Sequence, residues 1–262
     1  MRKVRTIYYS DELNDDFAGT NIKTKSLPED YHYFKKNPIV RFLHFFLYYV
    51  IAAPIVYISQ KIMFQERIHN RKALKPYRKT GFYIYGNHTR MAGDAFTSPL
   101  AVFPKKAFVL ANPDCVSIPV VGHITEALGC VPLPTSIKGL KNFHEAVLEH
   151  GRRGHAVVIF PEAHIWPYYT KIRPFKAASF RYPAELNKPV FTFTVTYQKF
   201  RFSKKPRTNV YIDGPFFPKE GQTVKQNQLS LRDMAYQAMQ ERSKLSNVEY
   251  VHYEKVDKPD EK

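Results

Sequence analysis

A histidine at the tip of an apolar run is the first group in this sequence equipped to move a proton. Tyr83-Ile84-Tyr85-Gly86-Asn87-His88 reads as a strand ending in a turn, and Asp94 follows six positions after the histidine. Open α/β sheets bind ligands at the carboxyl ends of their strands, so His88 is a candidate general base. Asp94 is then the carboxylate that would fix its tautomer and stabilise the imidazolium it forms. On a continuous helix, six positions rotate a side chain through about 600°, which would turn Asp94 away from His88. A loop or bulge must therefore intervene, and Gly93 makes one feasible. A second run, Val157-Val158-Ile159-Phe160-Pro161-Glu162, repeats the design with an acidic residue at the turn. Alone, a histidine or a glutamate is more often structural than chemical; two polar strand tips in one small domain strengthen each other. Asn87 is expected to support His88 from the turn and to contact substrate there.

The elements that would carry these tips follow from composition. With 262 residues, 44% of them hydrophobic and 15% aromatic, the chain can bury a substantial core. Short runs rich in Val, Ile, Phe and Tyr predict strands at 82–86, 107–111, 156–160, 190–197 and 209–212. Helical spacing occupies 140–150, 175–186 and 229–245. Strands alternating with helices imply an α/β fold, a sheet flanked by helices. The expected organisation is a polar N-terminal tail (1–37), a membrane-associated segment (38–62), a catalytic domain (63–250) and a charged C-terminal tail (251–262).

Residues 42–58 are almost entirely apolar, interrupted only by His44 and Pro54. As a helix they would extend about 25 Å, short of the roughly 30 Å hydrocarbon core. Basic residues flank both sides: Lys35, Lys36 and Arg41 before, and Lys61, Arg67, Arg71 and Lys72 after. Symmetric flanks favour an element whose two ends stay on one membrane face, with Pro54 supplying a bend; a spanning helix and a buried core helix are the alternatives. The net charge of +17 calls for an anionic partner. Because the basic residues gather beside the apolar segment and no nucleic-acid-binding signature occurs, an anionic membrane surface is expected and nucleic acid is not. Cys115 and Cys130 are too few for a disulfide framework and form no C-x-x-C pair, so free structural thiols, a reducing compartment and no metal are expected. Met1-Arg2-Lys3 runs into polar sequence, so no cleavable signal is expected. The G-x-S-x-G elbow of many hydrolases is missing.

Taken together, Asn87-His88 with Asp94, Gly129-Cys130-Val131-Pro132-Leu133, Phe160-Pro161-Glu162 and Lys188-Pro189-Val190 resemble the ordered motif blocks of the glycerolipid acyltransferases, the family that includes the 1-acylglycerol-3-phosphate acyltransferases. Pro174-Phe175-Lys176 with Phe180-Arg181 is similar to the stretch that follows the family's glutamate block, and the likeness covers about residues 80 to 200. The resemblance implies an acyltransferase-like mixed sheet and transfer of a fatty acyl group from acyl-CoA or acyl carrier protein to a lysolipid hydroxyl, without a cofactor, at the cytoplasmic face of the membrane. His88 and Asp94 would be catalytic; Asn87, Glu162, His164 and Lys176 would bind substrate, with Glu162 holding the acceptor. Three departures stand out. Five residues separate His88 from Asp94 where the family has four. Thr135 and Ile165 stand where two blocks carry arginines, which the resemblance assigns to the acceptor's phosphate. Lys138, Lys141, Lys171, Arg173 or Lys176 would have to replace them, or His164 and Trp166 would shape a different acceptor pocket.

Overall fold

The computed structural model describes residues 4–19, 22–90, 93–118 and 120–257. The Met1-Arg2-Lys3 start, residues 258–262 of the C-terminal segment, and Met91 and Ala92 between His88 and Asp94 lie outside these. The chain folds as a mixed α/β domain around a seven-stranded sheet. Its strands are β2 (Arg67–His69), β3 (Phe82–Gly86), β4 (Ala107–Ala111), β5 (Cys130–Pro132), β6 (Ala156–Ile159), β7 (Val190–Gln198) and β8 (Arg207–Phe216), in the order β2-β8-β7-β3-β6-β4-β5. β3 is central, pairs in parallel with both β6 and β7, and is buried at every position. Two-sided burial explains why it reads as an unbroken apolar run rather than an alternating one.

Helices cover both faces. Leu140–Arg152 (α5), Arg181–Leu186 (α6) and Val224–Ser243 (α7) supply the core that contains Tyr83, Tyr85, Val147, Phe180, Leu231 and Met239. Gly93–Val102 (α2) packs on the opposite face, with Ile84, Val158 and Phe193. Asp114–Ser117 (α3) and Val121–Ala127 (α4) connect β4 to β5.

The apolar segment is one helix, Pro38–Ile62 (α1), 25 residues long and the one helix among those described that is long and apolar enough to cross a membrane by length and composition. It continues through Pro54 rather than bending back: a π-helical stretch, Leu47–Ala52, precedes the proline, where the wider turn relieves the clash a proline ring makes with a regular helix. Only 6% of its apolar window is buried, so it is not a core helix. Tyr48 anchors the buried side by accepting from the Ala107 N–H at 3.1 Å, whereas Phe42, Phe45, Val50, Ile55 and Ile58 are exposed. Both ends are tied to the same domain. Lys35, just before α1, pairs with Glu126 at 2.9 Å, and Gln60 near its far end donates to the Gly93 carbonyl at 3.3 Å.

Two further expectations are corrected. The segments expected to be tails include strands: Arg5–Tyr9 (β1) and Val251–Lys255 (β9) pair in parallel, Arg5 opposite Val251. Their short mixed sequences gain order from aromatic contact, since Tyr9, Phe17 and Tyr253 all pack against Trp166. Cys115 and Cys130 are joined in a disulfide linking α3 to β5, because the β4–β5 connection folds back and brings them together. The bridge removes the thiol argument for a reducing compartment.

Candidate active site

The site is built on the loop that leaves β3. His88 Nδ1 lies 2.9 Å from Asp94 Oδ2, and its ring stacks on Phe160 with centroids 4.3 Å apart. With Nδ1–H donating to the carboxylate, Nε2 carries the lone pair that can take a proton. α2 begins only at Gly93, so the 600° argument against the contact does not apply, as the sequence analysis required. A Cβ at Gly93 would approach Arg90 Nε to 2.5 Å, so a larger residue here would have to displace the buried Arg90 guanidinium. Asp94 is fully buried in the first turn of α2, where the helix dipole favours a carboxylate, and it also accepts the Arg90 N–H at 2.9 Å.

Two buried ion pairs hold the loop, neither of which the sequence analysis identified. Arg90 Nη1 donates to Glu66 Oε2 at 2.9 Å, and Arg90 Nη2 donates to the Gly93 carbonyl at 2.7 Å. On the other side, Glu162 accepts the His88 N–H at 3.0 Å and the Arg173 N–H at 2.9 Å. The Arg173 guanidinium, 1% exposed, lies 3.5 Å from the same carboxylate and over the Trp166 ring. Burial pushes the Glu162 carboxyl up from its ordinary range, while Arg173 and the two backbone N–H groups pull it down. The His88 carbonyl accepts the Trp166 N–H at 3.0 Å. The histidine's backbone is therefore held on both sides of the residue.

An oriented imidazole at the tip of a central parallel strand can act as a general base on a hydroxyl. Residues 52–196, more than half of the chain, match the family model described as Acyltransferase. The chain belongs to the acyltransferase family. The structure is similar to the crystal structure of the 1-acyl-sn-glycerophosphate (LPA) acyltransferase PlsC from Thermotoga maritima, with a TM-score of 0.57 and 16% identity over 80% of this chain and 89% of that one. At that identity the likeness shows a shared fold. No curated protein sequence matches the chain.

In this acyltransferase the residues expected to bind substrate occupy varied environments. Both ends of the Asn87 amide are used by β7: Nδ2 donates to the Val195 carbonyl at 3.0 Å and Oδ1 accepts the Val195 N–H at 2.8 Å. Asn87 is thus a support for His88, as a turn residue should be. Glu162, buried and engaged by three donors, positions His88 and has no oxygen directed to an acceptor hydroxyl by these contacts. His164 faces the N-terminal segment, 3.7 Å from Asp16, and Lys176 is exposed on the surface. Arg173, weighed as a phosphate ligand, is committed to Glu162 and to the carbonyls of Glu12 and His164. Lys138 pairs with Glu29, and Lys141 and Lys171 are exposed.

The missing arginines have a structural counterpart. Thr135 Oγ1 accepts the Leu27 N–H at 2.8 Å. Ile165 donates its N–H to Asp16 at 3.2 Å, and its carbonyl accepts from Phe17 at 3.1 Å. Asp16, Phe17 and Leu27 of the N-terminal segment therefore contact both positions. Between α1, α2, α4 and the β4–β5 edge lies an apolar cavity of about 220 Å³, lined by Val56, Phe96, Leu100, Val109 and Leu128.

Proposed function

We propose that this acyltransferase moves a fatty acyl group from a thioester, acyl-CoA or acyl carrier protein, to a hydroxyl of a lysophospholipid or related glycerolipid, at the cytoplasmic face of a membrane. The observation that carries the reading is the His88–Asp94 pair at 2.9 Å in a chain of this family. His88 Nε2 takes the hydroxyl proton as the oxygen attacks the thioester carbonyl and the C–O bond forms. The tetrahedral intermediate then collapses with cleavage of the C–S bond, and the imidazolium returns its proton to the departing thiolate. Asp94 orients the ring and stabilises its charged form. Glu162 and Asn87 act through the His88 backbone, as positioning residues. The apolar cavity beside α2 suits an acyl chain. Purified protein supplied with labelled acyl thioester and a panel of lysolipids tests the proposal; absence of any ester product, with thioester intact, would favour a silent lipid-binding protein on the same fold.

Because Thr135 and Ile165 replace the expected arginines and are bonded to the N-terminal segment, Thr135 through its hydroxyl and Ile165 through its backbone, lysophosphatidate is not expected to be strongly preferred. A lost charge-assisted hydrogen bond removes about 1.5 to 3 kcal/mol, roughly tenfold or more in affinity. Competition between lysophosphatidate and uncharged or zwitterionic lysolipids measures this, and a hundredfold preference for the former would refute it.

Membrane attachment rests on the exposed apolar side of α1. Phe42, Phe46 and Ile58 are 64%, 44% and 55% exposed, and burying each in lipid is worth about 1.5 to 3 kcal/mol. The full chain is expected to sediment with membranes, and Phe42→Gln/Phe46→Gln/Ile58→Gln to release most of it. A wild-type chain that stays monomeric in buffer without detergent or lipid would contradict the attachment.

A further inference from the structure

A second cavity, of about 250 Å³, lies at the opposite end of the sheet from His88. Its walls include Lys106 and His155, the residues immediately before the parallel strands β4 and β6, whereas Glu162 follows β6 and His88 follows β3. The remaining cations come from the start of α1 and its approach, Lys35 and Arg41, and from Arg153 after α5. Carboxylates already neutralise two of them: Glu126 pairs with Lys35 at 2.9 Å, and Glu149 with Arg153 at 2.7 Å. Arg41 and Lys106 have no carboxylate. Among the described residues the Arg41 guanidinium makes no hydrogen bond or ion pair, and Lys106 Nζ donates to the Ala127 carbonyl at 2.5 Å while lying over the Tyr48 and Phe108 rings. His150, only 2% exposed, contributes a buried Nε2 without a hydrogen-bond partner, and its Nδ1 lies 2.9 Å from His155 Nδ1.

We propose that this cavity binds the phosphate of an anionic membrane phospholipid, separately from the acyl acceptor, and so seats the start of α1 against the bilayer. A guanidinium beside an ammonium suits a phosphate diester, and an unpartnered buried ring nitrogen is a site a ligand can complete. The same chemistry would accept free phosphate. Lipid is favoured because Phe45, which lines the cavity, is 56% exposed and continuous with the bare apolar side of α1, so acyl chains have a surface to follow and a free ion has none. Burial pulls the Lys106 ammonium down to about 8, and burial with neighbouring cations holds His150 at about 3 and His155 at about 4. An anion in the cavity offsets the field that produces these neighbour effects.

The test is vesicle flotation of the full chain, with phosphatidylcholine alone and with phosphatidylglycerol added. Arg41→Gln, at an exposed position that leaves packing intact, and Arg41→Gln/Lys106→Gln are compared with Lys219→Gln/Lys225→Gln, which removes equal charge from the start of α7. The gain in binding from phosphatidylglycerol should fall about fivefold per cavity residue and less than twofold in the control. His88→Ala should keep the full gain. Equal losses in cavity and control variants would show diffuse attraction and overturn the proposal, as would no loss in either. Displacement of the protein from these vesicles by millimolar inorganic phosphate or glycerol 3-phosphate would overturn the lipid assignment in favour of a soluble phosphate.

Discussion

Replacing His88 with alanine is expected to lower acyl transfer by about 10² to 10⁴-fold, the range that a positioned general base contributes, while leaving the protein folded. The ring is partly exposed and makes one side-chain hydrogen bond, to Asp94. The contacts that fix the loop run through the His88 N–H and carbonyl, which alanine keeps. Asp94→Asn should lower the rate less completely: an amide can still orient the ring but no longer stabilises a positive charge on it. Ester formation from labelled thioester, with circular dichroism to confirm the fold, decides the matter. Near-normal product from His88→Ala would remove the histidine from the chemical step and require another base.

Arg173→Ala should produce the largest loss of stability among single substitutions near the site, about 3 to 5 kcal/mol, because removing one member of a buried pair leaves the other charge without compensation. Arg173 and Glu162 are each 1% exposed as side chains, and the same arginine holds carbonyls from residues 12 and 164. Urea denaturation should show a midpoint shifted well below that of the unaltered protein. If the arginine instead serves an acceptor's phosphate, unfolding would be unchanged and the KM for an anionic lysolipid would rise. Those two outcomes are distinct, and the second would return Arg173 to the candidate phosphate ligands.

What the sequence discloses about the site is its two strand tips. The apolar runs at 82–86 and 156–160 place His88 and Glu162 correctly because a strand buried on both faces has to be apolar at every position. The spacing to Asp94 also yields to reasoning, since a glycine before the aspartate allows the loop that geometry demands. The supporting charges are illegible for a physical reason. Glu66, Arg90 and Arg173 are buried, and charged residues are buried only with partners, which here lie 24 or 11 positions away in the chain. Nothing local marks them. Thr135 and Ile165 are visible in the sequence as missing arginines, but nothing in it marks their contacts with Asp16, Phe17 and Leu27. The disulfide escaped for a similar reason: two cysteines fifteen positions apart carry no pairing signal until the β4–β5 connection folds back.

The parallel pairing of β1 with β9 has a consequence for synthesis. Arg5 and Val251 face each other across 246 positions of chain, so β1 cannot pair until β9 has been made. Tyr253 stacks on Trp166 at 4.9 Å, and Trp166 donates the hydrogen bond that holds the His88 carbonyl. A chain that has completed all seven strands of the main sheet therefore still lacks the partner of β1 and one ring of the cluster around Trp166. Translation of residues 251–255 completes that cluster, whereas the contacts of His88 with Asp94 and Glu162 need none of them.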